Sequence, residues 1–290
     1  MAGEMASLAA ALAWGFATVW FTLALKKGGK AAEAVFFKNF FGALFLGIVA
    51  FFLGSTQGGG AVGSGNLSWL LASGFIGLAL GDLFYFTALA HIGVGRTLIL
   101  TQVTPVATAI LAWMFLDETL TTQQWLGAFL VVFGGILSES RQPSRTAGDK
   151  LGFLAAIGCI VVFSIGNVLT HHGMTDTGMV TAAAWRLGAG AAGVLLLASL
   201  RKKGWEMLKS SIQPHTRKFF LLPSALGTWL GLTLLMGGFK YAKQGVAASL
   251  VATTPLVSIP LAVIFLKEKP GWRGWVGAFF VLLGVIVMTQ

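Results

Sequence analysis

The chain has 290 residues, 56% of them hydrophobic and 10% charged, with a mean hydropathy of +0.81 and a formal net charge of +10. A soluble globule carries about a quarter of its residues as charges, so this composition excludes one and leaves an integral membrane protein. A lone cysteine excludes an internal disulfide, and no Gly-x-x-x-x-Gly-Lys-Ser/Thr loop is present to drive a nucleotide-powered pump from within the chain.

A helix needs about 20 apolar residues to cross a bilayer. Ten runs of that order lie near residues 5–25, 33–53, 68–91, 94–116, 122–138, 150–171, 178–200, 217–240, 245–266 and 272–289. The first has no basic flank before it and is too long for a signal-peptide core, which predicts a retained helix. Its Trp14, Gly15, Thr18 and Trp20 sit among small residues that let neighbouring helices approach closely. The second carries Lys38 and Asn39 just inside one end; Lys38 either snorkels to the nearby surface or serves a site. The third holds Asp82, deeper than any other acid of the chain. Such a carboxylate either carries a proton or stays ionised against a cation such as Lys38. Tyr85 lies one turn away on the same face. The fourth run contains Thr101, Gln102, Thr104, Pro105 and Thr108. Proline inside a membrane helix frees a carbonyl that hydroxyls, water or a cavity must satisfy, so Pro105 is a hinge beside a wet site or a kink that serves packing.

The sixth run contains Cys159, which reads as a packing residue, and Asn167, which a shift of 149 brings onto Thr18. Each of these two polar residues either contacts substrate or bonds a neighbouring helix. At the end of this run His171 and His172 are adjacent and point apart, which suits an interface better than a metal. The seventh run carries Trp185 and Arg186, and a shift of 148 superposes Lys38 on Arg186. Arg186 is deep enough that a cavity or a partner is expected for it. Gly188, Gly190 and Gly193 spell a dinucleotide-binding pattern, but inside an apolar helix they read as packing glycines. The eighth run contributes Trp229. The ninth answers the fourth with Thr253, Thr254, Pro255, Ser258 and Pro260, which makes Pro255 the second candidate hinge.

Sliding residues 81–137 by 150 positions lands them on 231–287 without a gap, matching Gly81, Thr104, Pro105, Phe115, Leu116, Glu118, Trp125, Gly127 and Gly134 among others. The expected fold is therefore all-α, ten transmembrane helices in two five-helix repeats, 1–140 and 141–290, around a central cavity. An odd number of crossings per half inverts the second repeat relative to the first. Sixteen of the twenty Lys and Arg lie in or beside the odd-numbered connections, while the even-numbered ones hold Lys240 and Lys243. The positive-inside rule then predicts a multi-pass protein of the cell (plasma or inner) membrane with both termini on the non-cytoplasmic side. This distribution explains the net charge without nucleic acid.

Trp14-Gly15, Lys38, Arg186, Gly81-Asp82 and the twice-repeated Pro, Phe-Leu-x-Glu and Trp-x-Gly-Ala-Phe give the whole chain a resemblance to the drug/metabolite transporter superfamily, in its ten-helix form with two EamA-type domains. Phe115-Leu116-Asp117-Glu118, repeated as Phe265-Leu266-Lys267-Glu268, is the most specific of these motifs. The resemblance implies a carrier with a central cavity that exports amino acids, other metabolites or toxic compounds. The chain departs from the usual pattern with Lys38 where Arg is common, and with Phe163 where the second repeat often has Trp.

These readings converge on a secondary transporter of small organic metabolites such as amino acids, working by alternating access, with an exporter expected. Lys38, Arg186 and the aromatic Trp14, Tyr85, Trp185 and Trp229 suit a zwitterionic or anionic ligand, with Thr18, Asp82, Gln102, Asn167 and Thr254 completing the candidate set. Efflux of cationic drugs with Asp82 as counter-charge, and exchange of an anionic or nucleotide-type metabolite, are the alternatives within transport. A channel or membrane scaffold is the alternative outside it. No catalytic constellation, metal site or cofactor is expected. The expected partners are the small-molecule substrate, the lipid bilayer and, as candidate coupling ion, a proton, with the chain a monomer or weak oligomer.

Overall fold

The computed structural model describes residues 2–57, 64–116, 121–139, 147–173, 177–235, 250–251, 253–269 and 271–289. Glu118, Arg141, Arg145, Lys240, Lys243 and residues 58–63 of the glycine-rich connection lie outside them. The described residues form helices α1 (Ala2–Lys26), α2 (Ala31–Gln57), α3 (Ser64–Ser73), a π-helix π1 (Gly74–Gly81), α4 (Asp82–Thr101), α5 (Thr104–Leu116), α6 (Thr122–Glu139), α7 (Ala147–Gly173), α8 (Met179–Leu200), α9 (Gly204–Ser211), α10 (Pro214–Pro223), a second π-helix π2 (Ser224–Gly231), α11 (Thr254–Leu266) and α12 (Trp272–Thr289).

Six of these segments are long and apolar enough to cross a membrane, and four shorter apolar helices supply the rest. The segment Asn66–Thr101 is continuous in hydropathy but broken at Gly93, whose φ of 78° and ψ of 178° only glycine adopts readily. The chain turns there, so α3, π1 and the start of α4 make the third crossing, and the remainder of α4 with α5 makes the fourth. Pro105 and Pro255 stand as the second residues of α5 and α11, where proline's missing N–H costs no helical bond. The break in the fourth crossing is thus at Gln102–Val103, just before the proline.

The two halves pack as mates. Helix α6 lies along α12 and α2 along α8, whereas α1 packs on π2 and α11 while α7 packs on π1, α4 and α5. Close approaches repeat under the same sequence shift. A Cβ on Gly134 would meet the Gly277 carbonyl oxygen at 2.6 Å, and one on Gly284 would meet that of Gly127 at 2.6 Å. Gly81 abuts Phe163 as Gly231 abuts Trp14, and Gly77 faces Gly166 as Gly227 faces Ala17. The two π-helices themselves begin and end 150 residues apart. These reciprocal contacts define a pseudo-two-fold axis between the repeats.

The interior is not equally dense on the two sides of that axis. The largest buried cluster, including Phe21, Val35, Phe37, Phe86, Leu89 and Phe220, fills the half nearest the basic connections. The opposite half has a smaller cluster of Leu46, Ala183 and Leu187, with Leu78 and Leu232 packed against it. Gly190 and Gly193 of the glycine pattern face Asn39 with Leu78 and Phe75 with Ala79, the tight helix contacts that the pattern predicts. The short amphipathic α9 sits at the basic end, where Ser210 donates to Glu33 at 2.7 Å and Lys209 lies over the Trp205 ring at 5.2 Å.

Candidate functional site

Lys38 reaches inward from α2, and Asp82 meets it as the first residue after π1, their Nζ and Oδ2 atoms 2.6 Å apart. Both are buried, at 7% and 6% exposure, so Lys38 is not snorkelling to the surface. Its Nζ also donates to Asn39 Oδ1 at 3.0 Å, and Asn39 Nδ2 donates to the Leu78 carbonyl of π1 at 2.8 Å. The pair is thereby tied to the π-helix, a geometry that often marks functional positions. Removed from water, each charge relies on the other for compensation.

Arg186 descends from α8 against the same π-helix. Its backbone lies against Gly74, and its Nη2 is 3.8 Å from where a Cβ on Gly77 would stand. The side chain is half-buried, its Nε has no hydrogen-bond partner, and it makes no ion pair among the described residues. The deep crossings therefore hold two cations and one acid in this region.

The remaining candidates divide by depth. On the basic side Thr18 and Tyr85 bring their hydroxyl oxygens to 3.2 Å, joining α1 to α4. Near the middle, Trp14 Nε1 donates to the Gly227 carbonyl of π2 at 2.6 Å. On the far side Asn167, the mate of Thr18, is exposed, and its Nδ2 donates to Thr108 Oγ1 at 3.4 Å. Trp185 is 44% exposed where its mate Phe37 is 1% exposed. Trp229 stacks on Phe45 with centroids 5.4 Å apart, and its Nε1 is buried without a partner. Thr254 spends its hydroxyl on Val251 O at 2.6 Å, and Gln102 occupies the turn between α4 and α5. Lys38 with Asp82 and Thr18 with Tyr85 are thus brought together. The Thr254 hydroxyl bonds within its own turn rather than to that cluster.

One role went unread in the sequence. Glu268, the acid of the second Phe-Leu-x-Glu, accepts the Val94 N–H at 2.9 Å and the Gly95 N–H at 3.2 Å. It caps the half-helix that restarts after Gly93, satisfying amides that no preceding turn can serve. The recurrence of the motif was the available signal. Beside it a cavity of about 570 Å³ opens at the basic end, lined by His91, Arg96, Asp149, Lys269 and Arg273 among others. Arg96 and Asp149 approach within 3.7 Å across its wall.

Comparison with known proteins accords with this two-fold design. Residues 1–139 and 150–290 each match the EamA-like transporter family. An uncharacterized transporter of Archaeoglobus fulgidus is 26% identical over 284 residues, covering 97% of this chain and 96% of its own length. A protein of Streptantibioticus cattleyicolor named "Probable terminal-alkyne amino-acid exporter" is 24% identical over 203 residues, covering 69% of this chain and 65% of its own. In shape, a crystal structure of another protein superposes with a TM-score of 0.58 at 21% identity, covering 96% of this chain and 95% of that one. With each repeat matched in turn, the chain belongs to the EamA-like transporter family, a two-repeat, multi-pass membrane transporter of the drug/metabolite superfamily.

Proposed function

We propose that this transporter exports small carboxylate-bearing metabolites, amino acids foremost, by alternating access between its two repeats. The observation that carries the reading is the charge balance of the deep crossings, where two cations share one acid: Asp82 is in contact with Lys38, while it acts on Arg186 only at a distance. A deep cation with no acid in contact is costly, and a carboxylate on the ligand supplies that contact through charge-assisted hydrogen bonds. Aromatic faces at Trp14, Tyr85 and Trp229 offer the apolar wall. The amino-acid exporter named among the relatives supports the same substrate class. Efflux of cationic drugs fits less well, since the Lys38 contact already satisfies the charge of Asp82. In the cell membrane the basic connections face the cytoplasm in this reading.

Counterflow in proteoliposomes tests it. Vesicles loaded with a mixture of the twenty L-amino acids should accumulate at least one labelled amino acid against its gradient, and Arg186→Ala should lose that exchange while still inserting. Labelled amino acids that only equilibrate would indicate a pore. No uptake with any of the twenty would reject the substrate class.

A further inference from the structure

The repeats mirror one another closely enough that a departure from symmetry is informative. Lys38 maps onto Arg186, but Asp82 maps onto Leu232, so the second half has the cation of the pair without its acid. Leu232 packs against the cluster of Leu46, Ala183 and Leu187, and the last two of these flank Arg186 along α8. The half with the complete pair is the tightly packed one. There Lys38 and Thr18 are buried, whereas their mates Arg186 and Asn167 are half-buried and exposed. Asn167, exposed, and Thr108, half-buried, are polar within membrane crossings and line a space that water can enter, because lipid would leave the remaining amide groups unsatisfied.

We infer that closure of the end opposite the basic one is ligand-dependent: a carboxylate of the transported molecule takes at Arg186 the position that Asp82 holds at Lys38. Closing the basic end brings two opposite charges together within the protein, and that end closes without help. Closing the other end by the mirrored motion would bury a guanidinium that has no acid in contact, Asp82 reaching it only at a distance, which is unfavourable until an anion accompanies it. The missing acid thus couples occupancy to closure, so that the empty carrier rests open on the Asn167 side. The inference rests on the proposed substrate class only for the identity of the anion.

The test uses a cysteine at Asn167 in a Cys159→Ser background, labelled with a maleimide on purified protein in nanodiscs. A mixture of the twenty L-amino acids should slow labelling, and a matched mixture of the amino-acid amides, which lack the carboxylate, should not. Leu232→Asp supplies the missing acid and should slow labelling without any ligand, by about tenfold or more, the scale expected when an uncompensated buried charge is removed. Leu232→Asn should not. Arg186→Met removes the orphan charge and should also slow labelling without ligand, so it carries the test if Leu232→Asp does not fold. Labelling as fast in folded Arg186→Met and Leu232→Asp as in the parent would overturn the inference. If both variants slow labelling while the amino-acid mixture does nothing, ligand-dependent closure stands and the amino-acid assignment falls.

Discussion

Lys38 and Asp82 are buried opposite charges in contact with each other, so neither can be changed alone without consequence. Asp82→Asn should leave the Lys38 ammonium uncompensated and cost about 3–5 kcal/mol of stability. Asp82→Asn combined with Lys38→Met should recover most of that loss, because the orphan charge is gone. Melting temperatures in detergent check both outcomes, and an unchanged melting temperature in Asp82→Asn would demote the pair to a loose contact. Transport separates the two roles considered for Asp82. If it carries the coupling proton, the double variant should keep exchange and lose proton-driven accumulation. If it serves only as the partner of Lys38, both activities should return with stability. This pairing was legible in the sequence because very few ionisable residues lie deep in the crossings, which leaves each of them little choice of partner. The contact of Thr18 with Tyr85 and that of Trp14 with a π2 carbonyl were not legible. Hydroxyls and indoles are common in membrane helices, and nothing local to the sequence tells which neighbour they meet.

Among the elements, the restart of α4 after Gly93 depends on a distant acid. Glu268 offers two oxygens to two amide donors, whereas glutamine offers one oxygen and a donor group facing the second amide. Glu268→Gln should therefore cost about 1–2 kcal/mol, the scale of a lost cap. It should also speed hydrogen exchange at the Val94 and Gly95 amides; exchange unaltered there would assign those amides another acceptor. Gly93→Ala should cost a similar amount for a different reason, since its φ of 78° disfavours a side chain and the new Cβ would crowd the Glu268 carboxylate. Double-mutant analysis should find the two changes non-additive because they share that contact. The ends of the crossings were readable from hydropathy, and the Gly93 break falls in the gap between the third and fourth apolar runs. The π-helices were not readable, since a shift to i→i+5 bonding follows from packing between helices and leaves no compositional mark. Pro105 and Pro255, the two candidate hinges, begin α5 and α11, with the chain already broken at the preceding turn in the fourth crossing, whereas Pro260 stands inside α11.

At the scale of the whole molecule, positions that one alignment of the chain on itself makes equivalent meet reciprocally in the structure, Gly134 with Gly277 and Gly284 with Gly127. Such contacts recur because an interface that must close on its own mate selects the same small residues in both repeats. The alignment could not show which half would be dense, since density depends on how the halves tilt and not on which residues each contains. Orientation in the bilayer is a separate question, and the charge distribution carries the proposal made for it. Odd connections gather at one end of an antiparallel bundle, so their sixteen basic residues act together, against two in the even connections. If the basic connections are retained in the cytoplasm, as we propose, the connection between α2 and α3 and both termini lie on the opposite face. A cysteine substituted at Gly59, with Cys159 changed to serine, should then react with an impermeant maleimide in intact cells. A second cysteine site at Lys202, in the connection between α8 and α9, should react only after lysis. The reverse pattern would invert the transporter and turn an exporter's closure order into an importer's, because the Arg186 side would then face the cytoplasm. Equal labelling of both sites in intact cells would indicate dual orientation, and the charge asymmetry would then not govern insertion.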